Sequence, residues 1–141
     1  MKVLIDSNIP MYVAGAGHPN RDPARLFLRR VQSGELEACT STEVLQEIIY
    51  RYSRLGRLDL ARPVYDSFAE VCPVVIGITL AGTDRARELI CSTQGISARD
   101  AVHGATMLNH EVGWIATFDT GFDQAPGVRR IELNSAPGGA A

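Results

Sequence analysis

The stretch Lys2-Val3-Leu4-Ile5-Asp6-Ser7-Asn8 constrains the fold of this chain more than any other. Its apolar residues follow one another without polar alternation, a pattern typical of a strand covered on both faces, as in a parallel sheet between helices. The run ends in an acid, a hydroxyl and an amide. Because ligands of such sheets bind beyond the carboxyl ends of the strands, the pattern places Asp6 at a candidate site. The alternative is that Asp6 only caps a helix that begins near Ile9.

Strand and helix patterns alternate along the rest of the chain. Apolar periodicity and the positions of Gly and Pro predict strands near residues 2–5, 37–39, 74–78, 114–117 and 130–133. The same signals predict helices near residues 8–14, 22–34, 40–55, 58–71, 82–91 and 99–110. This alternation predicts an α/β fold with a mostly parallel sheet. We expect one domain over residues 1–133 and a flexible C-terminal tail over residues 134–141, which has too few large apolar side chains to bury itself.

The charge balance excludes a protein that coats nucleic acid through a broad basic surface, because the net charge is −2. All but one of the 14 basic residues are Arg. Guanidinium groups suit phosphate and carboxylate recognition, although a GC-rich genome would produce the same bias. The three cysteines lack a C-x-x-C spacing, and no apolar run is long enough to span a bilayer. We therefore expect a cytoplasmic protein without disulfides or a thiolate metal site.

Four acids stand out by their positions in the predicted elements. Asp6 follows the first strand, and Glu47 lies within the third helix. Asp100 lies in the first turn of the last helix, and Asp119 follows the fourth strand. The topology of a parallel sheet brings Asp6, Asp100 and Asp119 to one edge. Two carboxylates about 4 Å apart repel by roughly 4 kcal/mol at an effective dielectric constant of about 20, so either their pKa values rise or a cation lies among them. All-oxygen ligands favour Mg²⁺ or Mn²⁺, the ions that serve phosphodiester hydrolysis.

Four sequence blocks resemble the signature blocks of PIN-domain ribonucleases. Their order, their spacing and the chain length are most similar to the VapC toxins of bacterial toxin–antitoxin pairs, and the resemblance covers residues 2–133. The blocks are Ile5-Asp6-Ser7-Asn8, Thr40-Ser41 followed by Glu47, Arg99-Asp100-Ala101-Val102-His103-Gly104-Ala105, and Ala116-Thr117-Phe118-Asp119-Thr120-Gly121-Phe122. One departure is Gly104, where the family often has Ala, and it predicts little beyond closer packing of the helix.

The resemblance implies a three-layer α/β/α fold with a five-stranded parallel sheet. It also implies RNA cleavage that depends on Mg²⁺ or Mn²⁺ and leaves 5′-phosphate and 3′-hydroxyl ends. The metal ligands and catalytic residues would be Asp6, Glu47, Asp100 and Asp119. A hydroxyl matching Thr117 helps to hold a water at the metal in this family. Inhibition by a cognate VapB-type antitoxin is implied as well.

Each acid also has a structural interpretation. Ser97-x-x-Asp100 fits a capping box, so Asp100 could be only a helix-start acid. Asp119 could simply open a turn that ends at Gly121, and Glu47 could be a solvated helix acid. Since these alternatives are independent of one another, we do not expect all of them to hold.

The neighbours of the acids leave further alternatives open. Thr117 could be an ordinary strand residue. Asn8 could hydrogen-bond the carboxylates or cap the first helix, and we favour the cap. Asp123 could lie at the edge of the metal site or on the surface. For His103 we expect a packing or hydrogen-bonding role instead of metal ligation, and for Arg99 we expect contact with substrate phosphate.

The third helix offers two acids to the metal, Glu43 and Glu47. Thr40-x-x-Glu43 fits a capping box, which would give the Glu43 carboxylate a structural role. Glu47 lies nearer to the buried arc that Val44 and Ile48 begin. We therefore expect Thr40 and Glu43 to cap this helix and Glu47 to face the metal.

The helical hairpin of residues 42–71 has more apolar positions than one core-facing stripe requires. We interpret the surplus as an interaction surface for a homodimer and an antitoxin; it comprises Leu55, Leu58, Leu60, Tyr65 and Phe68.

Two other functions are alternatives to a ribonuclease. A receiver-like signalling domain needs a lysine near its phosphate, but the only lysine is Lys2, at the start of the first strand. A catalytically silent PIN-fold binding module would be recognised by failure in a metal-dependent ribonuclease assay.

Overall fold

Strands and helices alternate along residues 1–133, the part of the chain that the structure, a computed structural model, describes. The predicted tail, residues 134–141, lies outside these described residues. The strands are β1 (Lys2–Ile5), β2 (Glu37–Ser41), β3 (Val74–Ile76), β4 (Trp114–Ala116) and β5 (Arg129–Arg130). The helices are α1 (Asn8–Ala14), α2 (Arg21–Gln32), α3 (Thr42–Arg54), α4 (Leu58–Val71), α5 (Leu80–Ser92) and α6 (Ala98–Asn109). A 3₁₀ helix (Thr120–Gln124) precedes β5.

The strands form one five-stranded sheet in the order β3-β2-β1-β4-β5. Every paired strand is parallel, and Val3 of β1 lies opposite Ala38 of β2 and Trp114 of β4. The chain runs outward from β1 to β3 and then returns to β4 on the other side of β1. This reversal opens a crevice at the carboxyl end of β1, where ligands of such sheets bind. The predicted parallel sheet is confirmed.

Both faces of the central strand are covered. Consecutive residues of a strand point to opposite faces, and Val3, Leu4 and Ile5 each have no exposed surface. Helix α1 contacts α2 and α4, α4 also contacts α3, and α5 contacts α6. Small residues allow the close approach of that second pair, since Ala86 of α5 packs against Ala101 and Ala105 of α6. The predicted three-layer α/β/α arrangement is therefore confirmed.

Several element ends differ from the sequence prediction. Strand β3 stops at Ile76 instead of residue 78, because the Ile78 N–H turns away to donate to Thr42 Oγ1 at 3.1 Å. Helix α5 begins two residues early, with Thr79 as its N-cap. Strand β5 is limited to residues 129–130, although the Ile131 N–H still donates to the Ile115 carbonyl at 2.9 Å. None of these shifts changes the order of the elements.

All three cysteines are unpaired. Burial raises the pKa of the Cys39 thiol to about 11 and that of the Cys72 thiol to about 12. Among residues 1–133, no helix is both long enough and apolar enough to cross a membrane.

Candidate metal centre

Asp6 lies at the carboxyl end of β1 and has no exposed surface. Its Oδ1 accepts a hydrogen bond from the Ser7 N–H at 2.8 Å, and its Oδ2 accepts one from Thr117 Oγ1 at 2.8 Å. The N-cap of α1 is Ser7, so Asp6 does not serve as the cap of that helix. These donors fix the orientation of the Asp6 carboxylate before any ligand binds.

Asn8 and Thr117 connect the ends of β1 and β4. The Asn8 Nδ2 donates to Thr117 Oγ1 at 2.9 Å, and its Oδ1 accepts from the Phe118 N–H at 3.3 Å. Thr117 Oγ1 also accepts from the Asp119 N–H at 3.0 Å. The favoured prediction that Asn8 caps α1 is therefore wrong, because Asn8 is the first helical residue and its amide joins the network around the acids.

Helix α3 presents Glu47 to the same region. The helix begins at Thr42, and its N-cap is Ser41, whose hydroxyl accepts from the Val44 N–H at 3.2 Å. The predicted Thr40–Glu43 capping box is wrong, because the Thr40 hydroxyl donates to the Ile5 carbonyl at 3.0 Å instead. The assignment of the inward-facing acid still agrees with the structure, since Glu47 is buried and Glu43 is half-buried.

His103 of α6 contacts Glu47 from inside the protein. The imidazole has no exposed surface, and its Nε2 lies 3.0 Å from Glu47 Oε1. The other ring nitrogen, Nδ1, has no hydrogen-bond partner among residues 1–133. The structure thus gives His103 the hydrogen-bonding contact that the sequence led us to expect.

Asp100 and Asp119 complete the set of acids, and both also have the structural roles that the sequence offered as alternatives. The Ser97 hydroxyl accepts from the Asp100 N–H at 3.1 Å, so Ser97 is the N-cap of α6. Asp119 Oδ1 accepts from the Gly121 N–H at 2.8 Å and caps the 3₁₀ helix. In both residues a carboxylate oxygen remains directed at the cluster.

Gly121 belongs to the site, and sequence reasoning did not single it out. A Cβ at this position would lie 2.7 Å from Asp100 Oδ2 and 3.0 Å from Asp119 Oδ1. Any side chain would therefore push the two carboxylates from their places. The signal in the sequence is the Asp-Thr-Gly pattern, which predicts a turn but not the contact with Asp100.

A single guanidinium, that of Arg99, contacts all four acids. Its Nη2 lies 3.0 and 3.1 Å from the two oxygens of Asp6. Its Nη1 lies 3.0 Å from Asp100 Oδ1 and 3.1 Å from Asp119 Oδ2. Its Nε donates to Glu47 Oε2. The four carboxylates therefore surround one point, although they come from four separate stretches of the chain.

The pKa shifts follow from this mutual neutralisation. Burial alone would lower the pKa of Arg99, but the surrounding acids outweigh burial and raise it. Burial works to raise the pKa of Glu47, but the contacts with His103 and Arg99 prevail and lower it. Burial, and after it the Asp119 charge, raises the pKa of Asp100 against the opposing effect of Arg99. Two carboxylates of the cluster therefore differ in the direction of their pKa shift, which is downward for Glu47 and upward for Asp100.

Asp123 lies outside the cluster. Its carboxylate accepts two hydrogen bonds from Arg130, at 2.8 and 3.0 Å, and half of the side chain is exposed. The guanidinium lowers the pKa of Asp123. Of the two interpretations offered by the sequence, the structure agrees with the surface position.

The donor set fits a hard divalent cation. Three of the four carboxylates are buried and all four converge, which without a positive charge would be strongly unfavourable. Ligand atoms of Asp6, Glu47 and His103 lie within 4.8 Å of one another. Oxygen ligands in this number suit Mg²⁺ or Mn²⁺.

A groove between α1 and α3 reaches two members of the cluster, Glu47 and Arg99. Its rim carries the basic residues Arg51 and Arg54, and its walls are apolar; the lining comprises Met11, Glu47, Tyr50, Arg51, Arg54, Leu55 and Arg99. Leu55 and Leu58 are largely exposed, at 67% and 68%. The other members of the predicted surplus are not free: Phe68 is a core residue, and Leu60 and Tyr65 pack against the core. The prediction of a broad apolar surface on this hairpin is therefore reduced to the turn between α3 and α4 and the groove beside it.

Comparison with known proteins places these features in a family. Residues 3–128 match the model of the PIN domain. A VapC ribonuclease of Mycobacterium bovis is 40% identical over 129 residues, which is 92% of this chain and 98% of that protein. Ribonuclease VapC13 of Mycobacterium tuberculosis is similar to the same extent, 40% over 129 residues.

Solved structures show the same fold at lower sequence identity. VapBC2 of Rickettsia felis, bound to a DNA fragment from its promoter, has a TM-score of 0.73 and 17% identity, covering 93% of this chain and 98% of that chain. VapC20 of Mycobacterium tuberculosis, a toxin that cleaves the sarcin–ricin loop, has a TM-score of 0.70 and 20% identity, covering 88% of this chain and 95% of that chain. At these identities the likeness supports the fold alone.

Proposed function

Because this chain belongs to the PIN-domain family and to its VapC ribonucleases, we propose that it is an endoribonuclease toxin that hydrolyses RNA phosphodiester bonds. The observation that carries this proposal is the convergence of Asp6, Glu47, Asp100 and Asp119 on one point at the carboxyl edge of the sheet. Arg99 offsets only one of these four negative charges, so a structural protein would gain little by bringing four acids together.

The cofactor we propose is Mg²⁺ or Mn²⁺, held by these four carboxylates. When bound, the cation would activate a water and stabilise the charge on the phosphate and on the leaving oxygen. The residues of the chain supply the positioning. Thr117 and Asn8 hold the Asp6 carboxylate and the Asp119 backbone in place, and His103 holds one oxygen of Glu47.

The substrate path we propose is the groove beside the acids. Phosphodiester charge near the cluster requires compensation, and Arg51 and Arg54 lie at its rim. Tyr50 is more than half exposed in the same groove and offers an aromatic face on which a base can stack. This limited basic surface agrees with the net charge of −2. RNA binding should therefore be electrostatic but modest.

The partner we propose is a VapB-type antitoxin, and we propose that the toxin is a homodimer. An antitoxin segment that occupied the groove of Met11, Tyr50 and Leu55 would cover apolar surface and block the way to the acids. Co-expression with the product of an adjacent small gene tests this partner through co-purification and loss of cleavage. Light scattering at micromolar concentration tests the dimer, which a monomer would contradict.

The activity is tested by incubating purified protein with cellular RNA and Mg²⁺. We expect cleavage that EDTA abolishes and that excess Mn²⁺ restores. Asp119→Asn should be inactive. Asp123→Asn should cleave like the wild type, because this substitution removes the same charge from a residue outside the cluster. Cleavage that persists in excess EDTA would overturn the metal mechanism.

The cleaved RNA can be identified by sequencing the new 5′ ends that the active protein produces.

A further inference from the structure

The position of Arg99 raises the question of how a metal reaches the acids at all. All three nitrogens of this guanidinium donate to carboxylates, and each of the four acids accepts at least one of these bonds. Arg99 comes from the first turn of α6, next to Asp100 in the sequence. No other basic side chain of the described residues forms an ion pair with more than two acids.

We propose that Arg99 is an exchangeable counter-ion of the metal centre: a divalent cation must displace its guanidinium from the four carboxylates, so Arg99 sets the affinity of the site for metal. This inference rests on the metal dependence proposed above. It concerns how that site is filled, and it assigns Arg99 a role toward the metal in addition to any contact with substrate.

Most carboxylate oxygens of the four acids already accept hydrogen bonds. The second oxygen of Glu47 is bound to His103, and the second oxygen of Asp119 is bound to the Gly121 N–H. Both oxygens of Asp6 face Arg99 while they also accept from the backbone or from Thr117. Asp100 Oδ2 is the one carboxylate oxygen of the four acids that accepts neither from Arg99 nor from another donor among the described residues, so a cation that binds several of these carboxylates at about 2.1 Å needs oxygen atoms that Arg99 now contacts. The Arg99 guanidinium and a metal ion cannot both contact these oxygen atoms without strong mutual repulsion.

Arg99 has room to withdraw. About a quarter of its side chain is exposed, at 27%, and the guanidinium borders the groove that also holds Arg51 and Arg54. Rotation of the side chain into this groove would not require the backbone of α6 to move. The withdrawn guanidinium would then lie with two others on the proposed substrate path, where phosphate replaces carboxylate as its partner. Metal binding and substrate binding would thus be coupled through one side chain.

The exchange has a measurable consequence. When only a fraction of molecules is competent to bind, the apparent dissociation constant rises by the inverse of that fraction. While Arg99 contacts the four acids, the molecule cannot bind a metal ion at this site, so only a small fraction of molecules is competent. Removal of the guanidinium should therefore tighten metal binding, whereas a residue that merely positions the acids would weaken binding when removed.

The test is the Mn²⁺ affinity of the full chain, measured by isothermal titration calorimetry at pH 7 for the wild type, Arg99→Gln and Arg51→Gln. We expect Arg99→Gln to bind Mn²⁺ on the order of tenfold more tightly, a change that corresponds to about 1.4 kcal/mol. Arg51→Gln removes the same charge from the groove without touching the acids, and it should change the affinity less than twofold. An equal gain in both variants would show a general field effect and overturn the inference.

The remaining outcomes separate this inference from the proposed function. If wild type and Arg99→Gln bind Mn²⁺ equally, or the variant binds more weakly, the exchange is wrong and the metal centre stands. If neither binds Mn²⁺, both the metal centre and the exchange are wrong. Activity is not needed for any of these conclusions.

If Arg99→Gln does not fold, a measurement on the wild type tests the same inference. The ¹⁵Nε resonance of Arg99, assigned by its loss in Arg99→Lys, should be protected from solvent exchange in EDTA because Nε is bonded to Glu47. Addition of Mg²⁺ should shift this resonance and remove its protection. A resonance that stays protected in saturating Mg²⁺ would overturn the inference.

Discussion

The imidazole Nε2 of His103 lies 3.0 Å from Oε1 of Glu47, and this contact is buried between α3 and α6. It shows that Glu47 is not a solvated helix acid. The carboxylate is fixed on one side by His103 and on the other by Arg99. The stability of the fold and the chemistry of the site therefore share this residue.

Glu47→Gln should lower both activity and stability. Loss of the carboxylate weakens the bonds to His103 and Arg99, which we expect to cost about 1–3 kcal/mol of the free energy of unfolding at pH 7. Because the folded protein lowers the pKa of Glu47, its contribution is present above the ordinary value of 4.5 and is lost as the pH falls through the folded value. Urea unfolding at pH 7 and in the acid range measures the difference.

Glu43→Gln is the control for this variant. Glu43 lies one turn earlier on α3 and makes no capping contact within the described part of the chain, so its effect on stability should stay within about 0.5 kcal/mol. RNA cleavage should fall by at least about tenfold in Glu47→Gln and remain near the wild-type rate in Glu43→Gln. The reverse pattern would mean that the wrong acid of this helix is assigned to the site.

Asp100→Asn should stabilise the metal-free protein at neutral pH while it abolishes cleavage. The fold raises the pKa of Asp100, so its ionised form is disfavoured in the folded state. Below the ordinary value of 3.8 both states hold the proton and the contribution vanishes. As the pH rises through 3.8 toward the raised value, the wild type loses stability relative to the variant. Unfolding in EDTA from pH 3 to 7 should show this widening gap.

Asp123→Asn provides a control of opposite sign. Arg130 lowers the pKa of Asp123, so this carboxylate stabilises the fold above 3.8 and loses its effect as the pH falls through its lowered value. The effect should be small because the pair is exposed to solvent. A gap that narrows with pH for Asp100→Asn would show that the electrostatics of the cluster are misassigned.

Gly121→Ala should disrupt the site without unfolding the protein. The new Cβ would lie 2.7 Å from Asp100 Oδ2, so the carboxylates must move apart. We expect at least about a tenfold loss of cleavage, in the range found when residues that orient metal ligands are replaced. Gly77→Ala is the matched control, since its Cβ would meet nothing within 4 Å, and it should retain full activity. Equal activity of the two variants would place the acids elsewhere during catalysis.

The double variant Arg51→Gln/Arg54→Gln should weaken RNA binding and make it less sensitive to salt. Each phosphate contact to single-stranded RNA contributes about 0.7 to the slope of log K against log salt, so two lost contacts should reduce the slope by about 1.4. Fluorescence anisotropy in an Asp100→Asn background measures binding without cleavage. Lys2→Gln removes a charge at the opposite edge of the sheet and should leave the slope unchanged. An unchanged slope in the double variant would exclude the groove as the substrate path.

The sequence alone determined the architecture and the identity of the clustered acids. An apolar run ending in Asp6, followed by alternating helix and strand patterns, specifies a parallel sheet, because each signal depends on residues that are near in the chain. Parallel topology then brings the strand ends together. Asp6, Asp100 and Asp119 could be placed at one edge without any knowledge of packing.

Only the tertiary structure decided which side chains meet. The choice of Ser41 over Thr40 as the cap of α3, the burial of Phe68, and the bonds of Asn8 depend on contacts between distant segments. The contact of Arg99 with all four acids is of the same kind. A guanidinium beside an acid in the sequence can turn to solvent, to phosphate or to carboxylate. Its direction is fixed by charges from four stretches of chain that come together only in the folded protein, and such long-range fields leave no periodic trace in the sequence.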